Sequence, residues 1–210
     1  MRPSLILALL LSCGSEPPPT PPDPASLFPV AVGNRWEYRV AEPGKLEQTK
    51  TQSVTRTATS SAGDGFLFET VNGPNRTVSI QRLDGARLVR VSEESFANGA
   101  LVERIHFEPP ALRVDTHTPK LGDTYSTTHD EILVDGDGDP IGPRLHKSTT
   151  FLVEAIDESV TVPAGTFSTV RIRRTVVGGS AKTYWFAEGV GKVKEVGGQT
   201  ESLVSYDVDG

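Results

Sequence analysis

From residue 34 onward, apolar and polar positions alternate with a period of two. In Asn34-Arg35-Trp36-Glu37-Tyr38-Arg39-Val40, residues Trp36, Tyr38 and Val40 fall on one face and Arg35, Glu37 and Arg39 on the other. A half-buried β-strand requires this pattern. Similar runs cover residues 45–59, 65–71, 76–83, 87–91, 101–107, 123–128, 131–134, 149–155, 160–162, 167–176, 183–186, 192–196 and 202–208. Asp84-Gly85 between two of them is a hairpin signal, because a tight two-residue turn needs positive φ, which Gly supplies without steric cost. No window carries a sustained helical stripe, and the one helical feature expected is a short turn near residues 92–98. Thr and Val abound and Gly or Pro punctuates the runs, so the pattern predicts an all-β single domain over residues 27–210. The expected form is an antiparallel, strongly curved sheet or open barrel of roughly ten strands.

The chain before that domain has a different character. Arg2 is followed by the apolar run Leu5-Ile6-Leu7-Ala8-Leu9-Leu10-Leu11, far shorter than the roughly 20 residues a membrane-spanning helix needs. A charged start, a short apolar core and the small residue Ser12 make residues 1–12 a signal peptide. Leu10-Leu11-Ser12-Cys13 resembles the lipobox of bacterial lipoproteins. That resemblance implies that Cys13 is lipidated and becomes the first mature residue, so that the membrane is a partner through an N-terminal acyl anchor. An ordinary secretory signal with a chance cysteine near the cut is the plainer reading, but secreted proteins rarely keep an unpaired thiol. A catalytic role for Cys13 is disfavoured, since a reactive thiolate needs a shaped electropositive pocket. Gly14 stands where an aspartate would favour inner-membrane retention in the lipoproteins, so the resemblance implies the outer membrane, facing the periplasm. Residues 14–24 hold six prolines in eleven positions. Proline fixes φ and lacks an amide donor, so residues 13–26 form a tether, with an extended tract of about 30 Å.

Composition narrows the classes further. The 21 basic and 27 acidic residues give a formal charge of −6 and are interspersed. No basic footprint for nucleic acid results. Cys13 is the only cysteine, so no intramolecular disulfide can form and the domain must be held by its core and strand ladders.

Near the end of the chain stand Val160-Thr161-Val162-Pro163-Ala164-Gly165-Thr166-Phe167 and Tyr184-Trp185-Phe186-Ala187-Glu188-Gly189-Val190-Gly191-Lys192-Val193-Lys194, and near its start Phe28-Pro29-Val30-Ala31-Val32-Gly33-Asn34-Arg35-Trp36. Together these resemble uncharacterised envelope lipoproteins of Gram-negative bacteria. Families with this pattern look similar to curved-sheet proteins that handle lipids or lipoproteins in the periplasm, which implies a fold and not an activity. Physically, Pro163 and Gly165 suit one tight turn, and Gly189 and Gly191 another. Tyr184 and Trp185 point to opposite faces of a strand, so one is expected in the core and the other over an edge, with a pocket-lining role as the alternative.

One segment looks chemical. In Asp135-Gly136-Asp137-Gly138-Asp139-Pro140, alternate carboxylates with glycines between them suit a hard cation, which makes Asp135, Asp137 and Asp139 calcium candidates. Pro140 and His146 occupy the places where an EF-hand needs Gly and Glu, so an acidic hairpin loop is the simpler reading. His106, His117, His129 and His146 lack zinc-ligand spacing, and no Gly-x-Ser-x-Gly elbow or phosphate loop is present. His129-Asp130-Glu131 reads as a polar triplet at a strand edge. With no cofactor implied beyond that calcium option, the leading expectation is a non-enzymatic, lipid-anchored envelope protein that binds an apolar ligand, a lipoprotein or another envelope partner. The alternatives are a lipid-anchored hydrolase or metal-dependent enzyme built on the middle His and Asp residues, and a module stiffened by calcium at Asp135 to Asp139.

Overall fold

A computed structural model describes residues 26–60, 63–115 and 119–209. The expected signal peptide at residues 1–12, Cys13, the proline tract and His117 lie outside the described residues. Twelve antiparallel strands form the domain: β1 (Arg35–Ala41), β2 (Gln48–Ser60), β3 (Gly63–Asn72), β4 (Asn75–Asp84), β5 (Arg87–Ala97), β6 (Ala100–Asp115), β7 (Thr124–Leu133), β8 (Leu145–Val162), β9 (Gly165–Val176), β10 (Ala181–Ala187), β11 (Gly191–Val196) and β12 (Thr200–Asp207). Each pairs with its sequence neighbours and β1 closes on β12, so the sheet is a complete up-and-down barrel. Closure leaves no edge strand, which is the physical advantage of a barrel over the open form expected from sequence, although β6 beyond Glu108 and β7 before Asp130 do not pair with each other.

The all-β, antiparallel, single-domain expectation holds, with two strands more and full closure. The runs at 123–128 and 131–134 join as β7, and those at 149–155 and 160–162 join as the long β8. The expected helical turn at 92–98 is instead the second half of β5. Asn98 and Gly99, with φ of 51° and 81°, form the two-residue turn into β6. The β4–β5 turn is centred on Gly85-Ala86 and not on Asp84-Gly85, since Asp84 pairs with Arg87.

The barrel is a cup. At one end the segment before β1 folds inward, burying Leu27, Phe28 and Val30. Phe28 packs 4.9 Å from Trp36 and 6.4 Å from Phe68 between ring centres. The tip of the β8–β9 hairpin leans across the same end, where the Ala164 amide donates to the Leu203 carbonyl. Register shifts in β8 at residues 153–158, with Asp157 at φ 57°, give that hairpin its bend. Val160, Val162, Ile172, Phe186 and Leu203 complete this apolar floor. Outward positions carry charge at mid-strand, including Glu37, Arg39, Glu154 and Arg173. A lipid-facing barrel needs an apolar band there, so this wall suits water.

Gly191 closes the floor tightly. Its φ is +103°, and a Cβ there would meet Trp36 Nε1 at 3.1 Å and Phe28 Cδ2 at 3.4 Å. Gly191→Ala is therefore expected to cost about 1–3 kcal/mol from backbone strain and crowding, read as a lowered urea midpoint with an unchanged m-value.

Candidate functional site: a charged cup mouth

Inward positions nearer the open end are polar where those at the floor are apolar. Tyr38 on β1 faces Lys50 on β2 and Leu203 on β12, while Val40 faces Glu201. Glu201 in turn lies opposite Glu195 on β11. Lys192 joins these carboxylates, with Nζ 2.7 Å from Glu195 and 2.6 Å from Glu201. Lys50 reaches Glu201 at 2.7 Å, and Lys182 reaches Glu195 at 2.6 Å. The result is a chain of alternating charges, Lys50–Glu201–Lys192–Glu195–Lys182, with Glu201 only 1% exposed. Tyr38 supports it: its hydroxyl donates to the Lys192 carbonyl at 3.1 Å, and the Lys192 ammonium lies 4.8 Å from its ring centre.

Protonation follows from these contacts. Burial alone would raise the Glu195 carboxyl, but Lys192 and Lys182 outweigh it and hold the group well below the usual carboxylate range. Glu201 behaves likewise, held low by Lys192 and Lys50 against burial. Burial disfavours the Lys192 charge, yet Glu195 and Glu201 raise its pKa above that of an ordinary lysine. Lys50, with burial and Lys192 acting against it, is pushed down to about 8. A buried charge is tolerable when paired and hydrogen-bonded, and this chain meets that condition at each link.

A second group of cations faces the lumen from β5, β6 and β9. Arg90 pairs with Glu93 and lies 5.7 Å from the Phe107 ring centre. Burial, followed by Arg113, pushes its guanidinium down to about 9, so it stays protonated at neutral pH where charge is disfavoured. Arg174 sits between Phe151 and Lys182 in register. A bulge in β6 skips Arg113 in its pairing with β5 and leaves it on the same chamber wall as Arg174. That chamber, of about 60 Å³, is also bounded by Gln81, Tyr184, Phe28, Lys192 and the Glu195 carboxylate that Lys192 and Lys182 hold. Arg174 borders as well a solvent-open cavity of about 250 Å³ with His129, Glu131, Lys147 and Lys182. A larger groove of about 540 Å³ lies at the floor end, beside Leu27, Ile156 and Phe167.

The sequence-predicted residues are scattered by comparison. Asp135 Oδ1 accepts from the Asp137 and Asp139 amides at 3.0 and 2.9 Å, so that carboxylate caps its own turn. Arg104 fastens the loop by donating to the Asp135 and Gly136 carbonyls. Among the described residues no three metal-ligating side chains converge. His129 points inward, with Nε2 3.9 Å from Glu131, and burial lowers its pKa. It lies within β7 and not at a strand edge, which corrects the reading of the triplet. His146 is exposed and bonds Asp130 at 2.9 Å, while His106 is exposed by the Gly136–Gly138 loop, so the three do not share a cleft. Tyr184 borders the chamber, whereas Trp185 lies under the Lys194 ammonium at 5.2 Å. The lysine–glutamate chain and the arginines were not expected from sequence.

These features define a class: a water-facing, closed β-barrel with an apolar floor and a charged mouth. No family model matches the sequence, and no curated protein matches it. Two solved structures resemble it. One, from Parabacteroides distasonis, is designated a "putative lipoprotein"; it is 14% identical, with 87% of this chain and 98% of that one covered and a TM-score of 0.42. The other, from Bacteroides fragilis, is designated a "putative exported protein with YmcC-like fold"; it is 12% identical, with 87% and 99% covered and a TM-score of 0.43. At such identities and scores the likeness extends neither to site residues nor to activity.

Proposed function

We propose that the chain is a non-enzymatic lipoprotein of the bacterial envelope, acylated at Cys13 and held on the periplasmic side of the outer membrane, whose barrel is a ligand-holding cup. The observation that carries the reading is the solvent-open cavity of about 250 Å³ lined by His129, Glu131, Lys147, Arg174 and Lys182, which lies at the β9–β10 turn, the end of the barrel opposite Ser26 and its bond from Gly189. A tether of about 30 Å would then present that mouth to solvent and to partners. The floor is packed with side chains, so the earlier expectation of an apolar ligand gives way to a polar or charged one, matched to the residues around the open space.

Two measurements test it. Metabolic labelling with an alkyne fatty acid should mark the wild type and leave Cys13→Ala unlabelled and released into the soluble fraction. Equal labelling of the two, or none in either, would remove the anchor. Native mass spectrometry of full-length protein purified in mild detergent should retain a bound small molecule; a mass equal to the bare acylated chain would remove the cup.

A further inference from the structure

The carboxylates that face the charged mouth are already engaged. Glu93 is held by Arg90, Glu131 by Lys147, Glu195 by Lys182 and Lys192, and Glu201 by Lys50 and Lys192. Arg113 and Arg174 face the same chamber with no carboxylate within ion-pair distance among the described residues, and Arg174 Nε is buried without a hydrogen-bond partner. Their fields reach Arg90, and that of Arg174 reaches His129 as well. Like charges gathered in a half-dry wall repel one another, and a fold gains nothing from that arrangement on its own. An anion placed between them would be attracted to each and would offset those repulsions.

We infer that Arg113 and Arg174, backed by Arg90, form a receptor for the phosphate group of a small phosphorylated ligand. A guanidinium offers a planar fork of donors, and two forks require more acceptor positions than one carboxylate supplies, whereas a phosphate monoester presents three terminal oxygens and nearly two charges. The chamber of about 60 Å³ suits the phosphate, and the adjoining cavity of about 250 Å³ suits whatever bears it. Gln81, on the chamber wall, adds a neutral donor whose amide otherwise bonds Ser79 at 2.9 Å. The inference rests on the cup reading and names its ligand chemistry.

Isothermal titration of full-length protein in detergent with inorganic phosphate, glycerol phosphate, dihexanoyl phosphatidic acid and acetate tests it. Phosphate and glycerol phosphate should bind, acetate should bind at least tenfold more weakly, and affinity should fall as salt is raised from 50 to 300 mM. Arg113→Gln and Arg174→Gln should each weaken phosphate by about tenfold or more. Arg113 reaches solvent, so its variant keeps the fold. Without phosphate, Arg174→Gln should melt no lower than the wild type, because it removes a repelled charge; a merely structural arginine would give the opposite result. Tighter binding of phosphatidic acid than of glycerol phosphate assigns the group to a lipid headgroup, and the reverse order to a soluble ester. Absence of heat with every phosphate, acetate binding as tightly as phosphate, or unchanged affinity in both variants would overturn the inference. A co-purifying ligand without phosphorus would overturn it while leaving the cup intact.

Discussion

Replacing Lys192 with Met should lower the unfolding free energy by about 3 kcal/mol at pH 7, measured by urea titration. Breaking a buried ion pair from one side leaves an uncompensated charge, which ordinarily costs about 3–5 kcal/mol. Here the lower end applies, because Glu195 keeps Lys182 and Glu201 keeps Lys50. What the variant adds is repulsion between Glu195 and Glu201, which stand directly opposite each other on β11 and β12. The pH dependence separates the causes. In the wild type both carboxyls are held below their ordinary values, so the network contributes fully above the unfolded glutamate pKa of about 4.3. That contribution is lost only as pH falls through the depressed folded values. In the variant, two facing carboxylates without Lys192 share a raised affinity for a proton, so acidification from pH 7 towards 5 relieves them first. The difference in stability between the two proteins should therefore shrink over that range. A difference that stays constant would mean that lost packing of the lysine stem, and not charge, is the cause.

Much of the fold was legible because strands buried on one face must alternate. Trp36, Tyr38 and Val40 gave β1, and the Val160–Phe167 and Tyr184–Lys194 turns stand where Pro and Gly place them. What was missed has physical reasons. Asn98-Gly99 is a strong hairpin signal, but the strand before it, Ser92-Glu93-Glu94-Ser95, carries too little apolar contrast to show a period. The run read at 101–107 stops two residues short of Pro109 and Pro110. They remove donors, and the ladder to β7 does stop at Glu108, yet β6 continues on β5 through Ala111, Leu112 and Val114. The charged site was the least legible. Lys192 and Glu195 are three apart and would face opposite sides of a regular strand, but the register shift between Trp185 and Phe186 lets both face the lumen. Arg113 reaches the chamber through a bulge in the same way. Arg174 alone left a sequence trace, since it keeps the phase of Val170, Ile172 and Val176 and so puts a charge on an apolar face.

Trp36→Ala should be the most damaging single substitution at the floor, costing about 4 kcal/mol in urea unfolding. Trp36 is fully buried and donates from Nε1 to the Val190 carbonyl at 2.6 Å, so the substitution empties a large volume and orphans an acceptor. Trp36→Phe separates the two losses: it restores most of the apolar volume and should cost about 1–3 kcal/mol, mainly for the unpaired carbonyl. Phe28 is the partner that matters for architecture, because it holds the segment before β1 against the barrel. In a double-mutant cycle, Trp36→Ala and Phe28→Ala should couple by about 1 kcal/mol, as tilted rings at 4.9 Å do. Additive effects would mean that the segment is held by its backbone bonds instead, namely the Gly189 amide to the Ser26 carbonyl and the Asn34 side chain to the Pro29 carbonyl. Trp36 bears on the arginine-lined chamber only through Phe28, which packs on its ring and bounds that chamber. Trp36→Phe keeps a ring against Phe28, so it should leave phosphate affinity within about twofold of the wild type while lowering stability, which would separate the residues that hold the fold from the arginines proposed to meet a phosphate.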